Sequence, residues 1–169
     1  ESILARAGCV SPCLARQTIE AQALAGLIDN AVFSGDLARA AGLAPALRER
    51  LPGLAREALI EAHQVLIEAS MREGDFVTAR ASLEGLRLAR AAHALVLSFE
   101  AQIHWFEGSA ALARKTFEHL LARHPDYCHG LTIENDLAVM CLALGDLQAA
   151  EQMARRNLGS WVGVAHTQA

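Results

Sequence analysis

The sequence predicts an all-α protein in which about four helix-turn-helix units stack as an α-solenoid. Composition is the first reason. Hydrophobic residues make up 53% of the 169 residues, with aromatics only 5%. Alanine and leucine dominate, and both lose little on entering a helix. The second reason is a recurring mark: a glycine, an apolar residue two positions on, and an alanine five on. It occurs as Gly35-Asp36-Leu37 with Ala40 and as Gly74-Asp75-Phe76 with Ala79. It returns at Gly108-Ser109 with Ala110 and Ala113, and at Gly145-Asp146-Leu147 with Ala150. The intervals of 39, 34 and 37 residues each suit one helical hairpin. Each part of the mark has a physical role. Glycine ends a helix by entering the left-handed region without a Cβ penalty. Asp or Ser accepts hydrogen bonds from the free N–H groups of the next helix. The small alanine lets the second helix approach the first.

Taken in order, residues 1–11 read as an N-terminal extension or partial helix. Ser11-Pro12 starts the first long helix, with Ser as cap and Pro in the first turn. That helix runs to about residue 33, with Leu24, Leu27, Ile28 and Ala31 at helical spacing. Its partner spans Leu37 to Arg50, where Gly42 and Pro45 predict a kink or break near Ala44. Leu51-Pro52-Gly53 separates the units. The second hairpin pairs Leu54–Arg72 with Phe76–Ala89, and its boundary near Arg90–Ala92 has no strong breaker. His93–Glu107 and Ala110–His124 form the third. A loop over residues 125–130 leads to the fourth, which starts at Leu131 or Thr132 and ends near Leu158. Residues 12–158 thus form the solenoid, and residues 159–169 read as the start of a truncated further helix or a tail. Trp161 and Val162 would cap the last pair or belong to that missing helix. A chain beginning at Glu1 without Met reads as a fragment of something longer.

Several function classes are disfavoured. The net charge of −4 gives no basic footprint for nucleic acid. No apolar run reaches a membrane-spanning length, and no signal peptide is visible. The expected location is therefore the cytoplasm, with the four cysteines, Cys9, Cys13, Cys128 and Cys141, reduced. Only His119, His124, Cys128 and His129 cluster as metal-ligand candidates, without zinc-site spacing, so no metal and no cofactor is expected. Glu61 and Glu68 are a carboxylate pair without a marked cleft. Ser98 and His104 lack an Asp-bearing motif, and no phosphate loop is present. The chain is not expected to be an enzyme.

The units resemble tetratricopeptide repeats. Ala113 and Phe117 match the Ala-x-x-x-Phe pattern of that family's second helix, and Leu137-Ala138 matches the pair in its first helix. Pro125 closes its unit 17 residues after Gly108, as Pro52 does after Gly35. The resemblance covers roughly residues 14–158 and implies a right-handed α-solenoid. The longer, degenerate units are similar to the helical domains of large bacterial transcription activators of the maltose-activator and LuxR-like type.

In the family, the first helix of each hairpin lines a concave groove. Counting back from each glycine carries the groove positions onto Gln22, Asp29 and Phe33 in the first unit. The second offers Glu61, Gln64, Glu68, Met71 and Arg72. The third offers Ser98, Gln102, Trp105 and Phe106, with Leu95, and the fourth offers Thr132, Asn135, Val139 and Leu142. Glu68 and Arg72 are also an i,i+4 pair, so they read either as a solvated ion pair or as ligand contacts. Trp105 and Phe106 read either as packing or as a binding platform. Asn135 reads as a groove amide or a helix cap. The Lys and Asn pattern of chaperone-binding members is absent. The resemblance implies a module that binds a protein, a peptide or a small effector, as the sensor or interaction part of a bacterial regulator. The alternative is a structural subunit that self-associates through uncapped solenoid ends.

Overall fold

The computed structural model describes residues 12–125, 127 and 130–166, and side chains within 14–125, 127 and 133–156. The expectations for residues 1–11, Cys9, Cys128 and His129, and for the side chains of Cys13, Thr132, Trp161 and Val162, lie outside these. Among the described residues there are eight helices and no strand. They are α1 (Pro12–Ser34), α2 (Leu37–Arg50), α3 (Arg56–Glu73), α4 (Phe76–Leu88), α5 (His93–Phe106), α6 (Ala110–Arg123), α7 (Gly130–Ala143) and α8 (Leu147–His166). No described helix is long and apolar enough to cross a membrane.

Consecutive helices pair, α1 with α2, α3 with α4, α5 with α6 and α7 with α8. The four turns between them share one hydrogen-bond pattern. Gly35, Gly74, Gly108 and Gly145 adopt φ values of 80°, 78°, 82° and 77°. Each glycine N–H donates to the carbonyl three residues back. The next N–H donates five back: Asp36 to Ala31 at 2.8 Å, Asp75 to Ser70 at 2.9 Å, Ser109 to His104 at 2.8 Å and Asp146 to Cys141 at 2.9 Å. This double bond satisfies carbonyls that a helix end otherwise leaves open. The aspartates then cap the following helix, Asp36 accepting from Arg39, Asp75 from Thr78 and Asp146 from Ala149, each at 3.1 Å. Ser109 makes no such side-chain bond. Ala40, Ala79, Ala113 and Ala150 are all buried. The repeated mark is therefore a stop and close-approach device at all four turns, and a side-chain cap at the three that carry Asp.

Two boundaries differ from expectation. Pro45 lies inside α2, which runs unbroken to Arg50. Proline removes the bond to the Ala41 carbonyl, but Ala41 and Pro45 are both exposed, so water can satisfy that oxygen. Ala44 and Leu47, on the opposite side, are buried in the core and hold the helix on course. At the other end, α8 continues through Gly159 to His166 instead of ending near Leu158. A glycine inside a helix costs only about 1 kcal/mol, and it stops a helix only when it turns left-handed. The expected separate segment after Leu158 is, as far as His166, the same helix. At the breaker-less boundary, Arg90 itself takes φ 54°.

The chain forms two compact units, one through Ala89 and one from Arg90. In unit 1, α3 packs against both α1 and α2. Its core joins Ala25, Ile28 and Val32 of α1, Ala40, Ala44 and Leu47 of α2, and Ala62, Leu66 and Ala69 of α3. In unit 2, α7 packs on α6, and Phe117 and Leu120 meet Leu97 of α5 and Ile133, Leu137 and Met140 of α7. Each of these large side chains contributes about 1.5–3 kcal/mol on burial.

Candidate functional site

The expected groove residues of unit 1 lie on α1 and α3. Asp29 and Glu68 stand at the same place in their hairpins, six residues before the turn glycine. Packing of α1 on α3 therefore brings the two carboxylates within electrostatic reach. Glu68 is half-buried, and its carboxyl is held above the usual range, first by burial and then by the charge of Asp29. Arg72, one turn further along α3, opposes this shift through its field. The i,i+4 ion pair expected between Glu68 and Arg72 does not close to contact among the described residues. Gln22, Glu61 and Arg72 are exposed and Gln64 is half-buried. Phe33 is 92% exposed, whereas Met71 is buried and occupies a packing position.

Unit 2 presents a different surface. The groove position matching Glu68 is Gln102, whose Nε2 donates to the Oγ of buried Ser98 at 3.4 Å. These two polar groups thus serve each other. Trp105 is half-buried against the unit core, the packing side of its two readings, while Phe106 remains more exposed. Asn135 is exposed at the sixth position of α7, inside the helix and so not a cap. Beside it, Asp136 is half-buried and its carboxyl is raised by that burial.

Other polar groups are tied up in holding the hairpins together. A shallow cleft of about 530 Å³ lies where α1 meets the end of α2, lined by Arg16, Gln17, Glu20, Glu49 and Arg50. Arg16, Gln17, Glu20 and Arg50 are bonded within it. Glu20 accepts from Arg16 at 2.8 Å and from Arg50 at 3.3 Å, which lower its carboxyl, and Gln17 donates to the Arg50 and Pro52 carbonyls. In unit 2, Arg114 joins Glu118 at 2.8 Å and Asp146 at 2.9 Å, linking α6 to the cap of α8. The Asp146 carboxyl is held low by the Ala149 N–H and then by Arg114. His93 Nδ1 lies 3.1 Å from His124 Nε2. Among the described residues no group of three or more His, Cys, Asp or Glu could hold a metal ion.

Sequence reasoning passed over two groups. Burial lowers the His63 imidazole, and its Nδ1 has no partner. Its ring lies against Gly85 of α4, where any Cβ would overlap it. The available signal was a glycine in the middle of a helix, which commonly marks close approach. The other is Asp136, the last of the polar run Glu134-Asn135-Asp136 in α7. On α1 and α3 of unit 1 stand acceptors at Asp29 and Glu68, amides at Gln22 and Gln64, and a donor at Arg72.

No family model, no curated protein and no solved structure matches the chain.

Proposed function

We propose that the chain is a non-catalytic, tetratricopeptide-like right-handed solenoid that binds a protein or peptide partner. It would serve as the sensor or interaction region of a larger, cytoplasmic bacterial transcription regulator. The observation that carries the reading is the Asp29–Glu68 pair. Two carboxylates held near one another, one of them half-buried, cost folding energy without serving the core. Groups whose charge is disfavoured by burial and by a like charge are candidates for functional positions. A partner bearing Lys or Arg would neutralise the pair, while Gln22, Gln64 and Arg72 would meet its polar backbone. The turn marks and their alanines support the repeat reading.

The test is selection of binders from a random displayed-peptide library, followed by calorimetric titration of the best peptide. Enrichment of basic peptides is expected. Asp29→Asn and Glu68→Gln should each weaken binding about tenfold, while Glu118→Gln in unit 2 should leave it unchanged. Recovery of no binder, or binders indifferent to both unit 1 substitutions, would remove the reading.

A further inference from the structure

The seam between α3 and α4 holds a titratable group that the binding reading does not use. His63 of α3 lays its ring edge on Gly85 of α4, where a Cβ would overlap Cε1, Nε2 and Nδ1 alike. The imidazole thus fills the slot left by the missing side chain. His63 as a whole is half-buried, but its Nδ1 is sealed from water and has no hydrogen-bond partner. A neutral ring can leave that nitrogen bare. A protonated ring carries an N–H on both nitrogens, which sets a donor without an acceptor, and a charge, inside the seam. Burial accordingly holds the imidazole below its ordinary range, and no charged group of the described residues adds to the shift. The candidates are otherwise engaged. On α4, Arg87 pairs with Glu84 beside Gly85 at 3.3 Å, and Arg80 lies five residues back. On α3, Arg56 donates to the Ala89 carbonyl at 3.1 Å. From α1 and α2, Asp29 acts on Glu68 and Arg48 on Glu73, five and ten residues further along α3.

We propose that His63 and Gly85 form an acid-sensitive latch: the neutral ring closes the α3–α4 hairpin, and mild acid drives the ring out of its slot and loosens the hairpin. The imidazolium regains water only by leaving, and glycine has no side chain to refill the space. The same α3 reaches the α1–α2 pair through Ala62, Leu66 and Ala69, so loosening it weakens unit 1. The sign follows from the direction of the shift. The folded ring binds its proton less tightly than the unfolded one. Stability is therefore full above the ordinary histidine value of about 6.5. It falls as the pH drops from there towards the lowered folded value, below which the loss is complete. The latch stands or falls independently of any peptide bound at Asp29 and Glu68.

The test is hydrogen exchange read by mass spectrometry on the whole chain, wild type against His63→Gln, at pH 7.5 and 5.5. Comparison at equal pH cancels the intrinsic exchange rate, and Glu68 and the other histidines titrate in both proteins. The wild-type to variant rate ratio in α3 and α4 should rise at least twofold on going to pH 5.5, with a ceiling of about tenfold for one proton and a reference value of about 6.5. A smaller rise overturns the latch. Gly85→Ala supplies the second arm. Its methyl displaces the ring into water, so the pH effect of His63→Gln should vanish in that background, and its full persistence there overturns the role of Gly85. Circular dichroism checks that each variant keeps its helices. Should His63→Gln lose them, nuclear magnetic resonance of the wild type reads the same point: a His63 ring that titrates at or above about 6.5 overturns the proposal, and one that titrates lower supports it.

Discussion

Units 1 and 2 are made from the same hairpin and stopped by the same turn, yet they spend their side chains differently. The cluster that joins α1, α2 and α3 in unit 1 contains eight alanines among thirteen buried residues. Small side chains let α3 settle against both helices of the preceding pair. The cluster that joins α5, α6 and α7 in unit 2 instead holds Phe117, Met140 and four Leu or Ile residues beside three alanines. Large side chains supply more buried area per residue but concentrate it in fewer positions. The surfaces diverge as well. Six residues before the turn glycine, unit 1 carries Asp29 and Glu68, whereas unit 2 carries Gln102 and Val139. One repeat plan therefore accommodates a distributed core beneath a charged face and a concentrated core beneath a neutral one.

The widest separation between the units should come from Phe117→Ala. Phe117 is fully buried, and truncation leaves a cavity worth about 3–5 kcal/mol. Among its described residues, unit 1 has no buried aromatic side chain to match it. Denaturant unfolding of the variant measures the loss, and a cost below about 1 kcal/mol would show that unit 2 collapses around the gap and is not concentrated after all. Next in size is Gly85→Ala. The added methyl meets the His63 ring, which must move within a well-packed unit, at a cost of about 1–3 kcal/mol. Combining it with His63→Ala should recover most of that loss, because the obstacle is removed. If the double variant is no better than the sum of the two changes, the strain lies elsewhere.

How much of this could be read beforehand depends on whether the signal is local. The turns were legible because glycine, aspartate and alanine act within six residues of one another, and the same backbone bonds form at all four. The continuity of α2 through Pro45 was not, since it depends on which side of the helix faces water. The continuation of α8 past Gly159 was hidden for a related reason: glycine signals a stop only in a left-handed conformation, which composition does not specify. Within the candidate site, spacing placed Asp29 and Glu68 in equivalent positions. Their mutual effect appeared only once α1 lay on α3. Met71 and Ser98 were named by the same counting and turned out buried, because helix register alone does not say how deep a neighbour sits. His63 against Gly85 is a contact between two helices: the mid-helix glycine marks a close approach, but nothing in either helix alone names the partner.

The smallest effect bears on the charged face of unit 1. Glu68→Gln makes it resemble unit 2, where Gln102 holds the matching place. The folded carboxyl of Glu68 sits above its unfolded value, so the native state holds the proton more tightly than the unfolded chain. By linkage, the wild type loses stability as pH rises from the ordinary carboxylate range, about 4.3, through the raised folded value, and the deficit persists at neutral pH. Glutamine carries no such charge. The variant should therefore be more stable than the wild type near pH 7, by less than about 1 kcal/mol for a half-exposed position. The difference should fade as the pH drops below 4, where Glu68 is protonated in both states. Thermal melts at the two pH values decide it. A variant less stable at pH 7 would mean that the field of Arg72 outweighs burial and Asp29, making the face a stabilising feature, not a cost carried for binding.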